Sequence, residues 1–227
     1  MPDPMDASAT RTTKSAQAPR RTQLERTQLT QEKLVRAAIE MLKKRRYLGL
    51  RTLDVAELAG VSKGASTHHF PTKDTLVLKA LEQVYRETRD RALNRISSGG
   101  CSTTELLQAL IEDSKDFFLG EDFLLSLDLL MVDPTSELGT GVKELARTYR
   151  LPVEQAWTEA LRAAGHASQP VDDVVRLTFA LARGFGIRKL IGGSQMEAEH
   201  LMQVWLSTAQ TMLAQRSCNT GGKEPQS

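Results

Sequence analysis

The chain has 227 residues, 40% hydrophobic and 26% charged, with a formal net charge of +2, a globular composition long enough for one large domain or two small ones. Aromatics make up only 5%, and the abundance of Ala and Leu favours helices over a β-sandwich. No apolar run approaches the roughly 20 residues of a membrane span, the N-terminus has no apolar signal core, and Cys101 and Cys218 fit no metal or disulfide framework; a cytoplasmic protein without cofactor or metal is expected.

Residues 1–25 are rich in Ser, Thr, Ala and Pro and predict a disordered arm. Arg20, Arg21 and Arg26 flank it, placed either to reach a minor groove or phosphates or to stay inert in solvent. Leu34, Val35, Ala38, Ile39 and Leu42 form an apolar stripe that predicts a helix over 30–45. The run Lys43-Lys44-Arg45-Arg46 ends it and reads either as a contact to a polyanion or, the preferred reading, as a solvated helix end favoured by the helix dipole. A short helix follows over 53–59, with Thr52 as cap and Gly60 as stop, and a third over 62–70 must end at Pro71. A long fourth helix runs from Lys73 to about residue 96.

After Ser97-Ser98-Gly99-Gly100, helices are expected over 103–119 and 122–132, then one over 136–164 kinked at Pro152. A helix over 171–191 is apolar nearly all round, and a last one covers 195–215. The tail 217–227 reads as disordered. The expected organisation is thus all-α, about nine helices, with a small three-helix unit over 26–74 and a helical body over 75–216.

Charge divides the chain. Residues 20–80 carry 13 Lys/Arg against 6 Asp/Glu, a net of +7, while residues 81–227 carry a net of −5. A basic third on an acidic remainder suggests that one end meets a polyanion.

The segment from Val55 to Asp74 names the polyanion. Two short helices flank Gly60, small Ala56 lets them cross closely, and Val61 plugs their angle. That is helix-turn-helix grammar, whose second helix lies in a major groove. The face it offers is Ser62, Lys63, Ser66, Thr67 and His68, with Lys73 placed for a phosphate and Thr52 at the start of the second helix. His68 and His69 are adjacent and so point about 100° apart on a helix, which makes no metal pair.

From Leu34 to Leu76 the chain resembles the TetR family of bacterial regulators. The likeness is carried by Ala37-Ala38, Val55-Ala56, the block Ala59-Gly60-Val61-Ser62-Lys63-Gly64, His69-Phe70-Pro71 and Lys73-Asp74. Ser66 and Thr67 stand where the family usually has Leu and Tyr, and Arg46 stands where it usually has Gly. The resemblance implies a homodimer on double-stranded operator DNA, with His68 toward DNA and His69 toward the domain interior. It also implies an effector pocket in the body, and two final helices that pair across the dyad.

For that pocket the candidates are Tyr85, Phe117, Phe118, Phe123, Leu127, Met131, Trp157 and Phe179, each otherwise plain core. Arg183, a charge on an apolar helix, is read three ways: an anchor for an anionic ligand group, a partner for a nearby acid, or an interface residue. Phe185, Leu190, Leu201, Trp205 and Met212 are the expected dimer seam. The leading expectation is a repressor released from a palindromic operator by a small, largely apolar molecule. The alternative is a DNA-binding protein of the same fold controlled by a protein partner; a closed apolar cavity in the body discriminates between them, and its absence favours the alternative. No nucleophile–base pair, metal cluster or phosphate loop points to an enzyme.

Overall fold

The computed structural model describes residues 22–98, 100, 102–165 and 168–215, and among them there are ten helices and no strand. The helices are α1 (Gln23–Gly49), α2 (Thr52–Leu58), α3 (Lys63–His69), α4 (Lys73–Ser98), α5 (Thr103–Phe118), α6 (Glu121–Leu130), α7 (Glu137–Tyr149), α8 (Leu151–Ala163), α9 (Ser168–Leu190) and α10 (Gln195–Gln215). Arg20, Arg21, Cys101, His166, Cys218 and both expected disordered ends beyond residues 22 and 215 lie outside the described residues.

α1 begins seven residues before the expected start, so residues 23–25 belong to a helix and not to an arm. The cause is a capping box: the Thr22 hydroxyl accepts from the Glu25 amide, and the Glu25 carboxylate accepts from the Thr22 amide. Thr30, expected as the opening residue, sits inside the helix with its hydroxyl on the Arg26 carbonyl. α2 likewise starts at Thr52 itself, with Arg51 in the cap position. The helix expected over 136–164 is two, meeting at Arg150. Pro152 lies in the first turn of α8, where its missing N–H leaves no bond unmade, so it starts a helix and does not kink one.

α1 packs along α4, and α4 runs on into the body against α7, α8 and α5. Buried Leu34, Ala38 and Leu42 of α1 therefore join Leu76, Leu81 and Tyr85 of α4 and Leu107, Trp157 and Phe179 deeper down in one connected core. α9 splits its apolar residues between two faces: Val171, Val174, Val175, Phe179 and Ala182 are buried, while Leu177, Leu181, Ile187 and Leu190 face outward. At Gly186 the corner between α5 and α6 presses on α9. A Cβ there would lie 2.2 Å from the Phe118 carbonyl oxygen and 2.8 Å from the Phe123 ring, so only glycine allows those aromatic rings to stand where they do.

Candidate DNA-binding head and ligand cavity

The turn between α2 and α3 is built as the sequence predicts. Gly60 adopts φ +63°, and the Val61 amide donates to the Ala56 carbonyl at 2.9 Å. Ser62 caps α3, accepting from the Ala65 amide at 3.2 Å. Lys63, Thr67 and His68 lie exposed on α3, with the Thr67 hydroxyl on the Lys63 carbonyl. Thr52 and Lys73 are half-buried at the starts of α2 and α4.

Ser66 is a correction. It is 5% exposed and faces the small core, in the slot the sequence comparison assigns to Leu, so it is no part of the reading face. The run at the end of α1 is also more engaged than a solvated end. Lys43 pairs with Asp122 of α6 at 2.7 Å, Lys44 with Glu40 at 2.6 Å, and Arg45 with Asp54 of α2 at 2.6 Å.

Arg46 carries a further feature. It adopts φ 60°, ψ 177°, a region essentially reserved for glycine. The next amide, Tyr47 N–H, is thereby turned toward α6 and donates to Asp128 Oδ2 at 2.7 Å. The Tyr47 hydroxyl donates to Asp74 Oδ1 at 2.7 Å, and Lys73 Nζ stands 4.0 Å from the ring centre. Burial, then the hydrogen bond and charge of Asp74, push the Tyr47 phenol up to about 12. Burial lowers the pKa of Lys73, while Asp74 opposes that.

Two hollows matter in the body and its junction. The larger, about 480 Å³, is a groove between α1 and α4 lined by Gln28, Glu32, Arg36, Lys79 and their neighbours, with charges of both signs. The second, about 290 Å³, is mostly apolar and lies among α4, α5, α6, α7, α8 and α9; it is partly open to solvent, with Leu130, Leu151 and Ile187 of its wall exposed, and so is not the closed cavity set as the discriminator. Its lining has the character common to small-molecule pockets, mostly apolar with a few placed polar groups.

Its walls include Tyr85, Phe117, Phe118, Phe123, Leu127 and Arg183, as the sequence suggests. The three phenyl rings meet edge to face, with centroids 5.0 to 6.1 Å apart. The Tyr85 hydroxyl is hydrogen-bonded to Ser126, and burial raises its pKa.

Three candidates fall outside the cavity. Met131 caps the end of α6 and is 78% exposed. Trp157 is fully buried away from the cavity and donates through Nε1 to Asp113 at 3.1 Å. Phe179 stands behind Phe118, centroids 5.8 Å apart, as its support. Of the three readings of Arg183, the structure shows the partner for a nearby acid: it lines the cavity and pairs with Glu154 at 3.7 Å.

The residue missed is Arg150. It lines the cavity, and its guanidinium carbon lies 3.7 Å from the Phe117 ring centre. Burial pushes its pKa down, against the pull of Asp113, Tyr85 and Glu154 and with a small contribution from Arg183. A signal was present: Arg150 leads the stripe Arg150, Val153, Trp157, Leu161, whose other three members are completely buried.

These features define a helix-turn-helix DNA-binding protein with a hollow helical body. Residues 34–80 match the family described as bacterial regulatory proteins, tetR family. The chain is 37% identical over 172 residues to the HTH-type transcriptional regulator CymR of Pseudomonas putida, covering 75% of this chain and 84% of that one. It belongs to the TetR family, whose members regulate transcription and are not enzymes.

Solved structures share the fold at low identity. A TetR-family regulator from Mesorhizobium loti superposes with a TM-score of 0.69 at 17% identity, over 83% of this chain and 97% of that one. A regulator from Saccharomonospora viridis in complex with choline gives 0.61 at 20%, over 77% and 92%. FadR from Bacillus subtilis, in complex with stearoyl-CoA, gives 0.60 at 15%, over 78% and 96%. No described helix is long and apolar enough to cross a membrane.

Proposed function

We propose that the protein is a homodimeric repressor that holds a near-palindromic operator and leaves it when a small, largely apolar molecule fills the cavity of about 290 Å³. The observation that carries this reading is the double use of α6. Phe123, Ser126, Leu127 and Leu130 of α6 line the cavity, while Asp122 and Asp128 of the same helix hold Lys43 and the Tyr47 amide of the DNA-binding head. Filling the cavity bears on that helix, and the helix bears on the head. An effector of this kind shifts operator affinity only by its differential affinity for the two states, typically 5–150-fold, or about 1–3 kcal/mol.

Operator contact falls to Lys63, Thr67 and His68 on the open face of α3, with Ser62 at its cap and Thr52 and Lys73 flanking it toward phosphates. A dimer is supported by the outward face of α9 and α10. Leu177, Leu181, Leu190, Leu201 and Val204 are 36–52% exposed there, an apolar surface a lone soluble protomer would not keep. Phe185, Trp205 and Met212, half-buried, edge the same face or the core behind it. Two-fold protein symmetry asks for half-sites about one helical turn apart.

The test is selection from random duplexes at low salt with the full chain. A near-palindromic motif should be enriched and its binding should weaken steeply with salt. Selection without any enriched motif contradicts the reading.

A further inference from the structure

The cavity has three arginines in its wall, and their circumstances differ. Arg147 is exposed and lies 3.9 Å from Glu144. Arg183 lies 3.7 Å from Glu154. Arg150 has no carboxylate within 4.0 Å among the described residues; the one hydrogen bond of its side chain there, to Thr88 Oγ1, is a weak 3.4 Å. Of the acids whose charge acts on it, Asp113 is taken by Trp157 Nε1 at 3.1 Å and Arg95 at 3.4 Å, and Glu154 by Arg183 at 3.7 Å.

The half-buried Arg150 guanidinium gains a cation–π contact with Phe117, but it is left with one long side-chain hydrogen bond and no ion pair, so most of its donors have no protein partner among the described residues. Arg is the side chain that meets a planar carboxylate with two parallel N–H···O bonds. Around it the wall is phenyl and aliphatic: Phe117, Phe118, Phe123, Leu127 and Ile187.

The geometry points to a compact monocarboxylate with an aromatic or aliphatic body as the cavity's ligand, its carboxylate on Arg150 and its body against Phe117, Phe118 and Phe123. This rests on the cavity being the effector site. A volume of about 290 Å³ is at the small end of ligand pockets and suits one ring or a short chain. Glu154 in the same wall disfavours a dianion, and Arg150 and Arg183 disfavour a cationic ligand. In the bound state Arg183 stands beside the head group, and its hold on Glu154 keeps that carboxylate from facing the ligand's.

The experiment is calorimetric titration of the full-length protein with benzoate, phenylacetate, cinnamate, hexanoate and octanoate, each beside its methyl ester, and with benzyltrimethylammonium. At least one acid should bind at least tenfold more tightly than its ester, the scale of a charge-assisted hydrogen bond pair. In Arg150→Met that preference should vanish, and in Arg150→Lys part of it should remain.

Arg150→Met should melt no lower than the wild type, because it removes a desolvated charge. If it fails to fold, the acid-to-ester ratio of the wild type and Arg150→Lys decides. The inference is overturned if no acid binds, if esters or the cation bind as tightly as the acids, or if Arg150→Met keeps the preference. Operator affinity measured alongside separates the two readings. An acid that binds through Arg150 yet leaves the operator complex intact overturns the proposed function alone. A neutral ester that releases DNA as well as its acid does overturns the carboxylate alone.

Discussion

The backbone amide of Tyr47 donates to Oδ2 of Asp128 at 2.7 Å, and so ties the last turn of α1 to the helix that walls the cavity. Leu127, one residue earlier in α6, lines that cavity. At its other end Tyr47 holds Asp74 through its hydroxyl at 2.7 Å, at the start of α4. One residue thus touches the three helices that must move relative to one another if cavity and DNA-binding head communicate.

Asp128→Ala strands a half-buried amide. It should lower stability by about 1–3 kcal/mol, the usual cost of an unpaired buried donor, whereas Asp128→Asn keeps an acceptor and should lose less. Chemical denaturation of the two variants checks this, and equal midpoints for Asp128→Ala and wild type would remove the bond from the account. Asp128→Ala should also blunt the effect of cavity ligands on operator affinity.

Arg46→Gly should stabilise the protein by about 1–2 kcal/mol, since φ 60°, ψ 177° is costly for any residue with a Cβ. Arg46→Ala, which keeps the Cβ, should show no comparable gain. Denaturant midpoints at constant slope report the difference. A glycine variant no more stable than the alanine one would mean that the turn is not strained.

Much of this was legible in the sequence. Gly60, Ala56 and Val61 prescribe a turn whatever packs around them, so the helix-turn-helix was readable residue by residue. Arg46 in the place of a family glycine was noted, but its left-handed backbone was not read from it. The cavity was only half readable. Periodicity marks Trp157 and Phe179 as inward-facing, but not whether inward means the cavity or the solid core behind it. Met131 was misplaced because the helix ends at Leu130, and Met131, in the turn that follows, is exposed. Arg150 was hidden at a helix junction expected to be continuous, although its place on a buried stripe was a sign.

On the DNA-binding face, Lys63→Ala, Thr67→Ala, His68→Ala and Lys73→Ala should each weaken operator binding, while Ser66→Ala should not, because Ser66 is buried. Loss of a phosphate-contacting lysine should also make the salt dependence shallower by about one ion. Fluorescence anisotropy across a salt series distinguishes these. A Ser66→Ala loss as large as that of Lys63→Ala would put the reading face elsewhere.

Asp113 is buried, and burial raises its pKa despite the hydrogen bond from Trp157 and the charges of Arg150 and Arg95. A carboxyl whose folded pKa is raised contributes stability below its unfolded pKa of about 4 and loses it as pH rises through the folded value. Asp113→Asn, which keeps an acceptor for Trp157, should therefore be more stable than wild type at pH 7. The gap should close toward pH 4. Melting curves across that range check it; a variant less stable at pH 7 would show that the surrounding charges outweigh burial.

For the dimer, Val204→Glu and Leu177→Glu are sharper probes than a change at Trp205. Trp205 Nε1 donates to the Thr178 hydroxyl at 2.8 Å, so the indole also holds α10 to α9 within one protomer. Val204 is 50% and Leu177 43% exposed, free of that double duty. Either glutamate should give monomers by light scattering at micromolar concentration, with the helical circular dichroism unchanged. Dimers that survive both changes would place the seam on another face.

The most direct measurement is the operator dissociation constant of the full-length wild type, taken without and with a saturating cavity ligand. The account predicts operator binding at least fivefold weaker when the cavity is filled, with the effect lost in Asp128→Ala. A ligand shown by calorimetry to saturate the cavity, with operator affinity unchanged within about twofold, would contradict it.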